Sequence, residues 1–283
     1  MIGTSRRTNE ILKKYNLRAK KGYGQNFLID ENILNKIINT SGVTKDDGVI
    51  EIGPGIGALT EQLLINSKKV MAFEIDSDMI SILNNELKEY SNLRIVNEDF
   101  LKVSSIDNDY FKDCNRIIVV SNLPYYITTP LISKLLLGFE DISEMYLMVQ
   151  KEVGQRLSGK PKTKDYNALS VFMEYKSNTK IEFSVPRNCF IPAPNVDSVV
   201  ISVKRVQSNL EVNNEPHFLK FVQAIFNQKR KTLINNLINS YSFSKDEIKE
   251  ILIKLNHNES VRSEELSLNQ IHELYMAIFN SPK

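Results

Sequence analysis

Between residues 30 and 205, short apolar runs rich in β-forming residues alternate with stretches carrying Leu and Ile at helical spacing. Few folds accommodate such a pattern. Strand-length runs fall at 48–52, 70–75, 93–97, 116–121, 145–150, 181–185 and 199–205. The first four are almost continuously apolar, as expected of strands covered by helices on both faces. Helical spacing fills 59–66, 77–90 and 130–137. The alternation predicts an α/β fold with a doubly wound, mostly parallel sheet of about seven strands. No clear helix separates the last two runs, which predicts an antiparallel hairpin at one edge.

The texture changes after residue 205. Residues 206–216 are mostly polar and end in Glu215-Pro216, a linker pattern. Beyond it, Phe218, Phe221, Val222, Ile225 and Phe226 mark a helix face, and helical patterns recur at 244–255 and 268–279. The expected organisation is a basic arm over 1–29, an α/β domain over 30–205 and a small C-terminal helical domain over 206–283. Residues 1–25 carry Arg6, Arg7, Lys13, Lys14, Arg18, Lys20 and Lys21 against one acid, Glu10. Such an arm suits an anionic partner such as nucleic acid, and it reads equally as a solvated tail.

Cys114 and Cys189 are the only cysteines and have no CxxC spacing, so two reduced, buried thiols and a cytoplasmic protein are expected. No secretory signal and no bilayer-length apolar stretch is visible, and no membrane association is expected. The three histidines (His217, His257, His272) all lie in the tail, which argues against a histidine triad or a zinc centre. No metal site is expected.

Glu51-Ile52-Gly53-Pro54-Gly55-Ile56-Gly57 closes the first predicted strand and opens a helix. Glycines permit the tight turn and let a ligand approach the main chain. Dinucleotide-binding folds space them Gly-x-Gly-x-x-Gly and seat phosphates on the helix N-terminus. Here the glycines alternate, and Glu51 precedes them. A carboxylate at that place opposes a pyrophosphate and suits the cationic end of S-adenosylmethionine, which sets a nicotinamide-dependent dehydrogenase aside. Glu74 ends the second strand, where it can accept both ribose hydroxyls, and Asp99 follows the third, where it can accept from an adenine amino group. Each also reads as a simple helix cap. Gly53, Gly55, Glu74 and Asp99 are the candidate cofactor contacts.

Asn122-Leu123-Pro124-Tyr125 ends the fourth strand. The lone pair of an adenine N6 is delocalised into the ring, so that amine is a poor nucleophile. Two acceptors on its N–H groups, the Asn122 side-chain oxygen and the Leu123 carbonyl, would favour a pyramidal nitrogen. Pro124 fixes the carbonyl's aim. Tyr125 can stack on the base. Read alone, the same four residues make an ordinary turn.

Taken together, these segments resemble the ribosomal RNA adenine N6,N6-dimethyltransferases, most closely the bacterial small-subunit branch. Residues 21–30 (KGYGQNFLID) are similar to the family's cofactor lid. The segments at 49–60, 73–76, 98–100 and 121–126 follow in family order. Then come 148–157 (MVQKEVGQRL), 190–198 (FIPAPNVDS) and 226–233 (FNQKRKTL). Gly22 and Tyr23 depart from the usual polar or basic residue and following Phe or Leu. The resemblance implies a Rossmann-like class I methyltransferase using S-adenosylmethionine, with cofactor contacts at Asn26, Leu28, Gly53, Glu74, Asp99 and Asn122. It places Asn122, Leu123, Pro124 and Tyr125 around a target adenine, with Phe190 as a second aromatic wall. The implied partner is 16S rRNA in the small ribosomal subunit, bound by a monomer.

RNA contacts are expected at Lys20 and Lys21 and at Lys229, Arg230 and Lys231. The last three are expected on a long helix, where a solvated face is the competing reading. The sister branch acting on large-subunit rRNA and a mainly non-catalytic assembly factor are the alternatives.

Overall fold

The computed structural model describes residues 1–17 and 25–279. The first half contains α1 (Ser5–Lys14), β1 (Phe27–Leu28), α2 (Glu31–Ser41), β2 (Gly48–Ile52), α3 (Ala58–Asn66), β3 (Lys69–Phe73), α4 (Ser77–Glu86), β4 (Leu93–Val96), β5 (Ile117–Asn122) and α5 (Thr128–Gly138). The second contains β6 (Ile142–Gln150), α6 (Lys151–Leu157), α7 (Ala168–Lys176), β7 (Ser177–Val185), β8 (Phe190–Ile191), β9 (Ser198–Arg205), α8 (Glu215–Ile225), α9 (Leu233–Ser240), α10 (Lys245–Lys254) and α11 (Leu268–Phe279). Two compact units result, Met1–Gly154 with Lys180–Arg205, and Gln155–Thr179 with Val206–Lys283. The helical unit thus takes in a segment that the sequence reading gave to the α/β domain. The cause is packing: Val171 and Tyr175 of α7 are buried in the same core as Phe218 and Phe221 of α8.

The first unit is built on a seven-stranded sheet in the order β4-β3-β2-β5-β6-β9-β7. The pairs β2–β3, β2–β5, β3–β4 and β5–β6 are parallel, and β9 runs antiparallel to β6 from Glu144↔Lys204 to Gln150↔Ser198. This is the expected Rossmann-like α/β architecture. The last two long strands are neighbours, with β9 inside and β7 at the edge. Every residue of β2 is buried, as its apolar run requires. By contrast β4 is only half covered, because it is an edge strand with Arg94 exposed. A small antiparallel ladder, β1 with β8, was not legible in the sequence, since two-residue strands carry no periodicity.

The basic arm is not a free tail over its described part. Thr4 caps α1 by accepting from the Arg7 N–H at 3.1 Å, and Ile2 and Ile11 are buried in the core. On α4, the Glu86 carboxylate, 4% exposed, binds Arg7 at 2.5 Å, Lys14 at 2.7 Å and the Tyr15 hydroxyl at 2.9 Å. Two cations expected to face a polyanion therefore hold α1 in place.

In the helical unit, Phe218, Phe221, Tyr275 and Phe279 pack edge-on or tilted, with Phe218–Tyr275 ring centroids 5.2 Å apart. The expected long helix through residues 229–231 is broken: α8 ends at Ile225 and α9 starts at Leu233. Buried Asn236 explains the break. Its Nδ2 donates to the Ile225 and Gln228 carbonyls at 2.8 and 3.2 Å, and its Oδ1 accepts from the Gln228 N–H at 3.1 Å. Thr232 then caps α9. These bonds satisfy main-chain groups that a continuous helix would have paired.

Burial raises the Glu86 carboxyl, but the Lys14 and Tyr15 hydrogen bonds and the Arg7 charge outweigh it and hold it below its ordinary value. Its stabilising contribution is therefore present above the unfolded carboxylate pKa and is lost as pH falls through the lower folded value. Glu86→Gln should cost about 1–2 kcal/mol, discounted because Arg7 and Lys14 are 41% and 58% exposed. Hydrogen exchange should report faster opening of α1 in this variant at pH 7, and the difference from the parent should shrink in acid.

Candidate functional site

The ladder between β2 and β5 stops at Ile50↔Val119. Beyond it, the Ser121 hydroxyl donates to the Ile52 carbonyl at 2.6 Å and accepts from the Ile52 N–H at 3.3 Å. This side chain, 2% exposed, takes over the two main-chain groups that the ladder leaves. Chain order also reverses here, with β3 and β4 to one side of β2 and β5 and β6 to the other, the place where open α/β sheets bind ligands. A cavity of about 160 Å³ lies there.

The glycine loop forms one wall. Gly53 and Gly55 have φ of 72° and 58°, the left-handed region. A Cβ on Gly53 would stand 3.2 Å from Pro124, and one on Gly55 would stand 3.4 Å from Phe27. The bare loop thus lets the reactive turn and β1 close in on it. The expected residues Asn26, Leu28, Gly53, Gly55, Glu74 and Asp99 all line the cavity.

Glu51 lines it too, 1% exposed, with Oε2 making no hydrogen bond among the described residues. Burial pushes this carboxyl up to about 8, with the Thr60 hydroxyl pulling the other way and the Glu74 charge adding to the rise. Glu74, 7% exposed, accepts from the Gly55 N–H at 3.3 Å and the Asp76 N–H at 2.9 Å. Burial raises it too, against those main-chain donors. The helix-cap role weighed for Glu74 belongs to Asp76, which accepts from the Asp78 N–H at 3.1 Å and from Gln25 Nε2 at 3.0 Å. Asp99 Oδ1 accepts from the Leu101 N–H at 3.0 Å, so it closes a turn while lining the cavity.

Asn122, Leu123, Pro124 and Tyr125 also line the cavity. The Leu123 N–H donates to the Met148 carbonyl at 3.1 Å, anchoring the turn to β6. The Ile127 N–H donates to the Pro124 carbonyl at 3.2 Å, as does the Thr128 hydroxyl. The Tyr125 hydroxyl meets Ser198 Oγ at 2.7 Å, and burial raises its pKa against that bond.

Phe190 stands apart from the other expected residues. Its ring is 2% exposed in the core and is not on the cavity wall. Its main chain pairs with Leu28, which is on that wall, so β8 backs β1. Lys20 and Lys21 lie outside the described residues. Lys229 donates to the Lys164 carbonyl at 2.5 Å and stands 3.8 Å from Glu264. Arg230 and Lys231 are exposed in the α8–α9 loop. Phe27, Ile75, Phe100 and Tyr126 also line the cavity and were missed. Ile75 and Phe100 directly follow Glu74 and Asp99, a position that could have marked them.

Of the two free thiols, Cys189 is buried while Cys114 is half-exposed, contrary to the expectation of two buried thiols. Among the described residues, no helix is long and apolar enough to cross a membrane.

A family profile described as ribosomal RNA adenine dimethylase matches residues 16–278. The chain is 45% identical to the ribosomal RNA small subunit methyltransferase A of Geobacillus sp. (strain WCH70), over 98% of this chain and 97% of that one. Its namesake from Bacillus pumilus (strain SAFR-032) is also 45% identical, with 96% of each chain covered. Among solved structures, a dimethyladenosine transferase from Plasmodium falciparum matches with TM-score 0.73 and 29% identity, over 89% of this chain and 97% of that one. The 23S rRNA methyltransferase ErmE shares the fold at TM-score 0.68 and 23% identity, over 89% of this chain and 99% of that one.

Because the folded Glu51 binds its proton up to about 8, the native state holds more protons than the unfolded chain between the ordinary carboxylate pKa and that value. Stability should therefore fall as pH rises through this window. Glu51→Gln should flatten the slope of Tm against pH, raising Tm by several degrees at pH 8 and by little at pH 5. Parallel slopes for the two proteins would show that Glu51 is ionised in the fold.

Proposed function

The chain belongs to the ribosomal RNA adenine dimethylase family, and on that premise we propose that it moves methyl groups from S-adenosylmethionine to N6 of two adjacent adenosines near the 3′ end of 16S rRNA. The observation that carries this reading is one cavity lined together by Glu51, Glu74, the glycine loop and Asn122–Tyr125.

The residues fit the cofactor. Glu74 faces its ribose hydroxyls and Asp99 its adenine amino group, with Leu28 of β1 and Asn26 just before that strand contributing. Gly53 and Gly55 admit the main-chain approach, and the unpaired Glu51 Oε2 serves the charged end. That carboxyl rests neutral and ionises to balance a cation. When bound, S-adenosylmethionine supplies an electrophilic methyl group on a positive sulfur.

Asn122 Oδ1 and the Leu123 carbonyl accept the two N6 hydrogens, turning the nitrogen lone pair toward that methyl. The Tyr125 ring carries the base, its hydroxyl tethered to Ser198. As the new C–N bond forms, the methyl–sulfur bond would break to leave a neutral thioether; one N6 proton is then lost to solvent, and a second round gives the dimethylated base. The adenosine must leave the RNA stack to reach the turn. Phe190 supports β1 from behind, and service as a second aromatic wall would require its ring to swing out of the core.

The helical unit, with Arg230 and Lys231 foremost, engages RNA phosphates, together with Lys20, Lys21 and Lys229. The protein acts as a cytoplasmic monomer during small-subunit biogenesis. The small-subunit branch is favoured over the large-subunit one by 45% identity across nearly the whole chain, against 23% to ErmE.

Transfer of labelled methyl to unmethylated small subunits, followed by mapping of the modified bases, tests the assignment. Label appearing on large subunits instead would overturn it. Asn122→Ala should lower the rate about a hundredfold or more, as loss of a transition-state hydrogen bond does elsewhere, while subunit binding is kept. Reversing Arg230 and Lys231 to Glu should weaken subunit binding and flatten its salt dependence by about one unit of slope per lost contact. Identical salt titrations would remove these residues from the interface.

A further inference from the structure

The Tyr125–Ile127 turn carries a second aromatic side chain that the chemistry above leaves unused. Tyr126 is 56% exposed on the cavity wall, whereas Tyr125 beside it is drawn inward by Ser198. Large exposed apolar side chains are few among the described residues, and Tyr126 is the one aromatic ring in that set. Its backbone is rigid: the Pro124 carbonyl accepts from Ile127 and Thr128, and the Thr128 hydroxyl also reaches the Tyr125 carbonyl at 3.3 Å. On the neighbouring loop, Val196 is 44% exposed and precedes by two residues the Ser198 that tethers Tyr125. An exposed, rigidly mounted ring thus stands on the wall of a pocket in which the preceding residue, Tyr125, holds the base.

A polynucleotide that delivers one base into this pocket brings its neighbour to the entrance. Extrusion unstacks that neighbour and leaves one of its faces bare. We propose that Tyr126 stacks on the nucleobase flanking the target, replacing the lost neighbour and holding the strand in register for transfer. The proposal rests on the function assigned above, and Tyr126 acts in it as a positioning residue through the RNA strand.

The test compares Tyr126→Ala, Tyr126→Phe and Tyr126→Trp in the full chain with unmethylated small subunits. Base–aromatic stacking corresponds to about tenfold or more in affinity. Tyr126→Ala should raise KM for the subunit by about that factor, while calorimetric affinity for S-adenosylmethionine and Tm stay at parental values. The Phe and Trp variants should restore KM, since the ring and not the hydroxyl does the stacking. An unchanged KM in Tyr126→Ala, failure of both aromatic replacements to restore it, or weakened cofactor affinity in the Ala variant would each overturn the proposal. If the parent itself moved no methyl to small subunits while binding the cofactor, the assigned function would fall and this role with it.

Discussion

The site depends on a single serine hydroxyl. Parallel strands β2 and β5 cannot both stay paired to their ends and leave room for a ligand, yet a main chain released from its ladder leaves buried N–H and C=O groups to satisfy. Ser121 resolves the conflict by donating to one Ile52 group and accepting from the other. The strands separate at little cost in hydrogen bonding. The glycine loop leaves one strand, the reactive turn leaves the other, and the cavity opens between them.

Rigidity of the reactive turn has a similar source. Leu123 is 1% exposed and held to β6, Tyr125 is tethered to β9, and the turn runs directly into α5. The far end of α5 is secured by Arg205, whose guanidinium donates to the Leu135, Leu136 and Phe139 carbonyls and to Ile142. The Leu135 and Leu136 carbonyls lie in the last turn, where a helix leaves its acceptors unpaired, while that of Phe139 also accepts from the Ile142 N–H at 3.2 Å. The turn is thus held in place from both ends, as the role proposed for it toward a substrate amine requires. The carboxyls across the cavity behave differently. Glu74 is steadied by main-chain donors, whereas Glu51 has a buried oxygen with no such support, and its charge awaits a counter-ion.

Charge also divides into structural and available groups. Arg7 and Lys14 are spent on Glu86, whereas Lys229, 54% exposed, is only partly engaged by the Lys164 carbonyl and Glu264. Arg230 and Lys231 remain exposed on a loop that Asn236 shapes. A count of basic residues along the sequence therefore overstates the surface offered to a polyanion. Helical spacing through Val222, Phe226, Leu233 and Leu237 reads straight across that loop, because periodicity is blind to a buried amide eight or more residues away.

From sequence alone, the alternating sheet and helix order, the glycine loop with its acids, and the turn at the end of β5 were all legible. Each is a local pattern: apolar periodicity, glycine where φ must be positive, and polar residues at strand ends. Tertiary structure decided the rest. It paired Phe27–Leu28 with Phe190–Ile191, buried the Phe190 ring, joined α7 to the helical core, and left Tyr126 at the cavity mouth. It also set the protonation of Glu51, whose carboxyl looks ordinary in the sequence and becomes perturbed only when distant segments remove its water. Those outcomes arise from contacts between residues far apart in the chain, and no local pattern encodes them.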